Sequence, residues 1–402
     1  MIIDVILDLL LLVIFLGTAV IVILLLVYGG EFKRLWLEPM LHHPVVIFES
    51  DDWGVGPKEQ VSALGDLLEL FLHYRDQKHH HPVLTLGMVL AEPDVEKIKI
   101  DSQTYFRRDL SDENYRDLVQ VINKGQKLEV FSVHLHGMEH FWPDSLMNAI
   151  HQEDVRHWLF GTNDGERITE NLPSFLQSRW CDTSILPSLE LKEVEIKKAI
   201  EAEKDCFKSV FEIEPTVVVP PTFVWTEAVI KQYVSQEIHL FVTPGRQYIG
   251  RDAESNLQEN GRTFYNGDTD HGNNAFYLVR DVYFEPRLGH KADRVLTDII
   301  DRTDCARPSL IEMHRFNFLS DKQNSLNELK SLLDIISEQL PQTLFLSVEE
   351  LANVYMSNDL KLHSFLERFW IWIKRIQLFL QYKRLAKYSG FNMLLKLIVT
   401  VR

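Results

Sequence analysis

Four short runs of this 402-residue chain gather side chains that can do chemistry. The first is Glu49-Ser50-Asp51-Asp52-Trp53-Gly54, directly after the apolar run Val45–Phe48. Adjacent carboxylates repel, so the pair is costly unless a cation or a function separates them; the plainer reading is a solvated turn, which Asp and Gly favour. The second is His134-Leu135-His136-Gly137-Met138-Glu139-His140. His136 and His140 are four apart and would face the same way on one helical turn. Two imidazoles and one carboxylate form a common site for a catalytic metal, with positions left open for water and substrate; the plainer reading is polar surface or core hydrogen bonding. The third is Val218-Val219-Pro220-Pro221-Thr222-Phe223-Val224-Trp225, where two prolines fix a rigid corner. The fourth is Ile311-Glu312-Met313-His314-Arg315-Phe316-Asn317, with His314 at a strand end, where a lone histidine is usually structural. By contrast His79-His80-His81 precedes a strand, and nothing ties it to these runs.

The elements that must position these residues alternate. Val45–Phe48, Val83–Val89, Leu128–His134, Val217–Val219, His239–Val242, Phe276–Phe284, Ser309–Met313 and Leu344–Ser347 read as strands. Lys58–Tyr74, Asn114–Lys124, Leu191–Phe211, Thr226–Tyr233, Ala292–Asp301 and Ser325–Leu340 read as helices. Such alternation favours a parallel sheet, and this many units favour closure into an α/β barrel, whose sites lie at the C-terminal strand ends. All four runs fall at or near such ends. Residues 141–190 break the rhythm and read as an insertion that shapes a substrate groove. The chain divides into 1–43, an anchor and linker; 44–358, the barrel; and 359–402, a separate segment.

Composition narrows the function. With 46% hydrophobic and 25% charged residues the chain is globular, and a net charge of -16 argues against nucleic acid as a partner. Cys181, Cys206 and Cys305 show neither a disulfide framework nor a zinc-finger spacing. Leu9 to Tyr28 is uncharged and almost wholly apolar, and as a helix it spans roughly 30 Å, a bilayer's hydrocarbon thickness. Asp4 and Asp8 in its leading part fit a cleavable signal poorly. Lys33 and Arg34 come after it, so the positive-inside rule leans the main domain toward the cytoplasmic face. Residues 361–402 carry nine Lys/Arg against one acid, Glu367. Leu362, Leu366, Phe369, Ile373, Ile376 and Leu380 lie on one helical face, with Trp370 and Trp372 between basic flanks. That pattern describes an amphipathic helix in a membrane interface, making lipids a partner; packing on the barrel or on a partner helix is the alternative.

In order and type the four runs resemble the polysaccharide deacetylase (NodB-homology) family over roughly Val45 to Tyr355. The resemblance implies a distorted (β/α) barrel and metal-dependent removal of an N-acetyl group from a membrane-associated or lipid-linked glycan. It makes Asp51 the general base, Asp52, His136 and His140 the ligands of a divalent metal such as zinc, and His314 the general acid. Trp53, Pro221 and Trp225 would line a sugar-facing wall. The family's corner arginine falls at Val219 and is missing; Arg280 and Asp281 would supply the arginine beside Asp51 and the acid beside His314. Three other readings stay open: a related barrel glycosidase, which needs two carboxylates; a non-haem iron oxygenase; and a non-catalytic glycan-binding or scaffold protein of a polysaccharide-assembly system.

Overall fold

A computed structural model describes residues 2–161, 167–270, 272–357 and 363–400. They form two compact units, His43–Thr303 with Pro308–Asp359, and Met1–His42 with Asp304–Arg307 and Leu360–Arg402.

The larger unit is built on one sheet. Its strands are β1 (Val45–Gly54), β2 (Leu84–Val89), β3 (Phe131–Leu135), β4 (Val217–Val218), β5 (Leu240–Thr243), β6 (Asp268–Asp270), β7 (Ala275–Val279), β8 (Val282–Tyr283), β9 (Ser309–His314) and β10 (Leu344–Phe345). They pair in the order β6-β7-β5-β4-β3-β2-β1-β9-β8, with β10 also on β1. All pairs are parallel except β6 with β7. The expected closed barrel is therefore a curled, open sheet. The expected strand Phe276–Phe284 is two strands, β7 and β8, near opposite ends of the pairing order with only Arg280 and Asp281 between them. A link that short holds the two ends within about 11 Å, so the sheet must curl even though no ladder joins them among the described residues.

Strand alternation sorts the side chains. Phe48, Leu84, Leu86, Met88, Phe131, Val133 and Leu135 join an apolar cluster with Leu64, Leu67 and Phe71 of α2 (Glu59–Leu72) and Leu118 and Ile122 of α3 (Arg116–Lys127). The intervening positions are polar and buried: Glu49, Asp51, Thr85, His134, Glu312. At the end of β1 the pairing with β2 shifts between Ser50 and Trp53, and Asp52 takes φ +69°. This bulge breaks the alternation, so Asp51 and Asp52 are both buried at the site but aimed at different partners, which relieves their repulsion.

The insertion forms its own cluster, in which Phe141, Leu146, Val155, Trp158, Leu159, Leu172 and Leu176 pack with Val95 and Ile98. An antiparallel hairpin, Arg246–Arg251 with Leu257–Thr263, has no counterpart among the expected elements. Its second strand is almost wholly exposed and polar, so no apolar alternation marks it.

The smaller unit centres on α1 (Ile2–Leu37), whose Phe15–Leu37 portion is long and apolar enough to cross a membrane. Three further helices belong to it: α8 (Phe365–Leu380), α9 (Arg384–Tyr388) and α10 (Phe391–Thr400), after α4 (Glu193–Phe211), α5 (Glu227–Ser235), α6 (Ala292–Asp304) and α7 (Lys322–Gln339) of the chain. Of the stripe expected to enter a membrane, Ile376 and Leu380 are buried inside this unit, Leu366 is exposed, and Leu362 lies outside the described residues.

Gly87 of β2 shows how tightly the site is built into the sheet. A Cβ there would lie 2.4 Å from Asp51 Oδ1. Gly87→Ala should lower thermal stability by roughly 1–3 kcal/mol, as overpacked cores do, and displace Asp51. An unchanged melting temperature would show that the strand yields without cost.

Candidate active site at the strand ends

The C-terminal ends of β1, β3 and β9 bring the predicted residues together. In register, Asp51 of β1 pairs with His314 of β9. His136 and His140 lie just past β3, in a loop and not on the expected helical turn. Gly137 at φ +96° makes the bend, where a Cβ would meet Glu139 O at 2.6 Å. Glu139, wholly buried between, is gripped by Arg107 at 2.8 Å and Arg179 at 2.5 Å, which pins the loop.

Asp52, His136 and His140 form a compact buried triad, with one ligand atom from each within 4.8 Å of the others. Asp52 Oδ1 lies 3.6 Å from Nε2 of both histidines. His136 Nδ1 lies 2.7 Å from Val219 O and donates to it, leaving its Nε2 lone pair toward Asp52. Asp52 Oδ1 has no hydrogen-bond partner among the described residues. A carbonyl-held imidazole, a second imidazole and an unpartnered carboxylate oxygen form the donor set that a divalent cation takes, so these residues fit a metal. Burial depresses the His140 pKa to about 4, which keeps its ring neutral at pH 7.

Beside the triad stands Arg280, fully buried. Its Nη1 and Nη2 lie 3.2 and 2.5 Å from the two oxygens of Asp51. Its Nε lies 3.2 Å from Glu312 and 4.0 Å from Glu49, and its guanidinium stacks over Phe223. Burial would raise the Asp51 pKa, but Arg280 with His136 holds it at about 2. Burial dominates at Glu49, raising it to about 7, and also raises Glu312. His314 Nδ1 lies 2.5 Å from Glu285, whose other oxygen accepts from Asn317. Burial works against the His314 charge, yet the Glu285 bond raises its pKa to about 10, so it is an imidazolium.

Several expectations need correction. Asp281 does not meet His314: its carboxylate is partly exposed and pairs with Arg302 at 2.6 Å, because the break after β7 turns it away. Glu285 takes that place. Trp53 is buried, donating to Ser50 and stacked with Phe318; Trp225 is buried beside Phe264; and Pro221 is buried against the Gly137 bend. None forms a sugar-facing wall. Glu49 and Glu312 join the site without having been expected there. Counting by two from Asp51 and His314 puts them on the same face, and that is the signal that finds them.

The model of glycosyl hydrolase family 57 matches residues 182–362, under half of the chain. No curated protein sequence matches. Among solved structures, a 4-alpha-glucanotransferase from Thermococcus litoralis aligns at 10% identity and TM-score 0.42 over 87% of this chain and 47% of its own. This chain thus spans about half the length of that protein. A peptidoglycan deacetylase from Bacillus subtilis aligns at 12% identity and TM-score 0.36, over 79% of this chain and 94% of its own. A CE4-family pseudoenzyme from Bacillus anthracis aligns at 10% identity and TM-score 0.36, over 77% and 66%. Superpositions this loose carry no functional argument. The family match overturns the N-deacetylase expectation: the segment holding Arg280, Glu285, Glu312 and His314 is similar to a glycoside hydrolase. The motif arginine of the deacetylase corner is absent too, and buried Val219 offers the site only a carbonyl.

Two outcomes test these electrostatics. Arg280→Met strands Asp51 and Glu312 as buried, uncompensated anions and should destabilise by roughly 3–5 kcal/mol in thermal unfolding. Glu49 keeps in the folded state, between about pH 4.5 and 7, a proton that the unfolded chain has lost. Stability therefore falls as pH rises through that window. Glu49→Gln removes this loss, so its stability advantage over the parent should grow by roughly 2–3 kcal/mol from about pH 5 to pH 8; a constant difference would mean that Glu49 is ionised throughout.

Proposed function

We propose that this chain hydrolyses or transfers glycosidic bonds of a membrane-associated or lipid-linked glycan. The observation that carries the reading is the glycoside-hydrolase match over the segment that holds Arg280, Glu285, Glu312 and His314. Breaking a glycosidic bond asks for a proton on the departing oxygen and a negative group beside the cationic anomeric carbon, roles usually split between two carboxylates; here a histidinium takes the first. His314, charged and held by Glu285, is the proton donor. Asp51, kept ionised by Arg280, faces the anomeric carbon. Environments that push two groups' pKa values apart in this way assign acid and base roles. Asp52, His136 and His140 would hold a divalent metal, which when bound supplies a Lewis acid that fixes sugar hydroxyls. We further read α1 as a membrane anchor with the catalytic unit on the cytoplasmic side, on the strength of Lys33 and Arg34 after the uncharged run Leu9 to Tyr28.

The test is mass spectrometry of oligosaccharides and glycolipids incubated with purified full-length protein. Products should differ by whole sugar units. Products differing only by an acyl group, or none at all, would refute the proposal. Asp51→Asn and His314→Ala should each lower kcat roughly 10²–10⁴-fold. Glu285→Gln removes the negative charge that helps raise the His314 pKa, so the proton donor is lost at lower pH and the alkaline limb of the rate profile should move to lower pH. An alkaline limb that stays in place would assign the proton to another group.

A further inference from the structure

Ile376 and Leu380 of the stripe expected to face lipid are buried in protein, and a different surface of the smaller unit is left open. Helix α8 runs back along the end of α1. Phe365 meets the Trp36 ring at 6.1 Å, Trp372 meets Trp36 at 5.7 Å and donates to Phe32 O at 2.8 Å, and Phe379 meets Phe32 at 6.2 Å and Tyr28 at 5.5 Å. The ends of α8 are therefore fixed eight residues apart on α1, about 12 Å along its axis, with the C-terminal end nearer the apolar run. Arg375 locks this arrangement. Its guanidinium, fully buried, donates to the carbonyls of Leu35, Glu38, Pro39, Cys305 and Ala306.

The chain beyond α8 thus emerges at the level of Tyr28, where the apolar run of α1 ends. On α1 at and beyond that level, Val22, Ile23, Leu25, Leu26 and Val27 are exposed. In the segment after α8, Tyr382 is 85% exposed, Tyr388 83% and Met393 71%. Lys383, Arg384 and Lys387 stand among them, and no acidic residue comes after Glu367. Aromatic rings with a polar tip and basic chains at the edge of an apolar span are the composition of a membrane–water boundary.

We propose that α9 and α10 form a collar seated in the bilayer surface around the exit of α1, with Tyr382 and Tyr388 at head-group depth and Lys383, Arg384 and Lys387 holding the phosphates of anionic lipids. The proposal rests on the reading of α1 as a membrane span, and commits the open face to lipid and not to a second copy or a partner protein. The positive charge, the exposed tyrosines and the register with the end of the apolar run all point there.

The test uses the full-length chain, its Cys181, Cys206 and Cys305 replaced, in nanodiscs of phosphatidylcholine with or without phosphatidylglycerol. An environment-sensitive fluorophore is placed in turn at positions 388, 15 and 291. Position 15 reports the span, and position 291, an exposed site on the larger unit, reports water. The label at 388 should be quenched by lipids spin-labelled near the head group and shielded from aqueous iodide. Unaltered protein extracted in mild detergent should retain phosphatidylglycerol preferentially, and Lys383→Gln, Arg384→Gln and Lys387→Gln should weaken that preference about fivefold for each charge removed. If position 15 lies in the hydrocarbon while 388 is as open to iodide as 291, the collar is wrong and the anchor stands. If position 15 is also open, the anchor reading fails first. Shielding of 388 that appears only on self-association, without lipid quenching, assigns the face to a second copy and overturns the proposal.

Discussion

A single buried guanidinium, that of Arg280, is what the larger unit is arranged around. Glu49, Asp51 and Glu312 project from neighbouring strands into the inside of the curled sheet, in register across β1 and β9. Carboxylates in such a place are untenable without compensation. Arg280 touches Asp51 and Glu312 and lies 4.0 Å from Glu49. It also occupies the two-residue link between β7 and β8, where the described sheet has no ladder. The charge that makes the site is thus the charge that holds the seam. A lysine would not replace it, since one ammonium cannot present a planar fork to Asp51 and a further N–H to Glu312.

Around that cation the site divides into regions of opposite protonation. Asp51 gives up its proton because two guanidinium nitrogens meet its two oxygens. Glu49 keeps its proton toward neutral pH because burial outweighs a more distant Arg280 and neither of its oxygens is hydrogen-bonded among the described residues. His314 holds its charge against burial through Glu285, which Asn317 orients in turn. The bulge at Asp52 supplies the remaining separation, directing one acid of an adjacent pair to the guanidinium and the other to the two imidazoles.

How far this can be read in the sequence depends on whether the signal is local. Strands β1, β2, β3 and β9 and most helices are legible because apolar runs and helical periodicity mark them. The spacing of His136 and His140 reads correctly as a pair, but for a helix; the structure achieves the same convergence with a Gly137 bend. Pairing of Arg280 with Asp51 can be guessed from residue type at a strand end. Glu285 cannot be told from Asp281 without knowing that the strand breaks between β7 and β8. The burial of Trp53 and Trp225 is illegible for a similar reason: an aromatic beside a motif looks the same whether it faces a groove or the core, and only tertiary packing decides.

The same limit explains the C-terminal segment, and it leads to a physical point about arginine in this chain. Helical periodicity reports an amphipathic helix without saying what covers its apolar face. The decisive residue is Arg375, which sequence reading assigns to a basic flank. In the structure it is buried, and its donors satisfy carbonyls at the end of α1, groups that a helix leaves unpaired. Arg280 meets carboxylates, and Arg375 meets carbonyls together with the Glu38 carboxylate at 3.5 Å; both cap unsatisfied backbone or charge at a place where regular structure stops. Because the guanidinium spreads its charge over a planar fork of donors, it can be buried at such places where an ammonium, with its tighter hydration, is costlier to desolvate. Arg280 and Arg375, each beside a break in regular structure and each fully buried, are therefore structural cations and not parts of a solvated face.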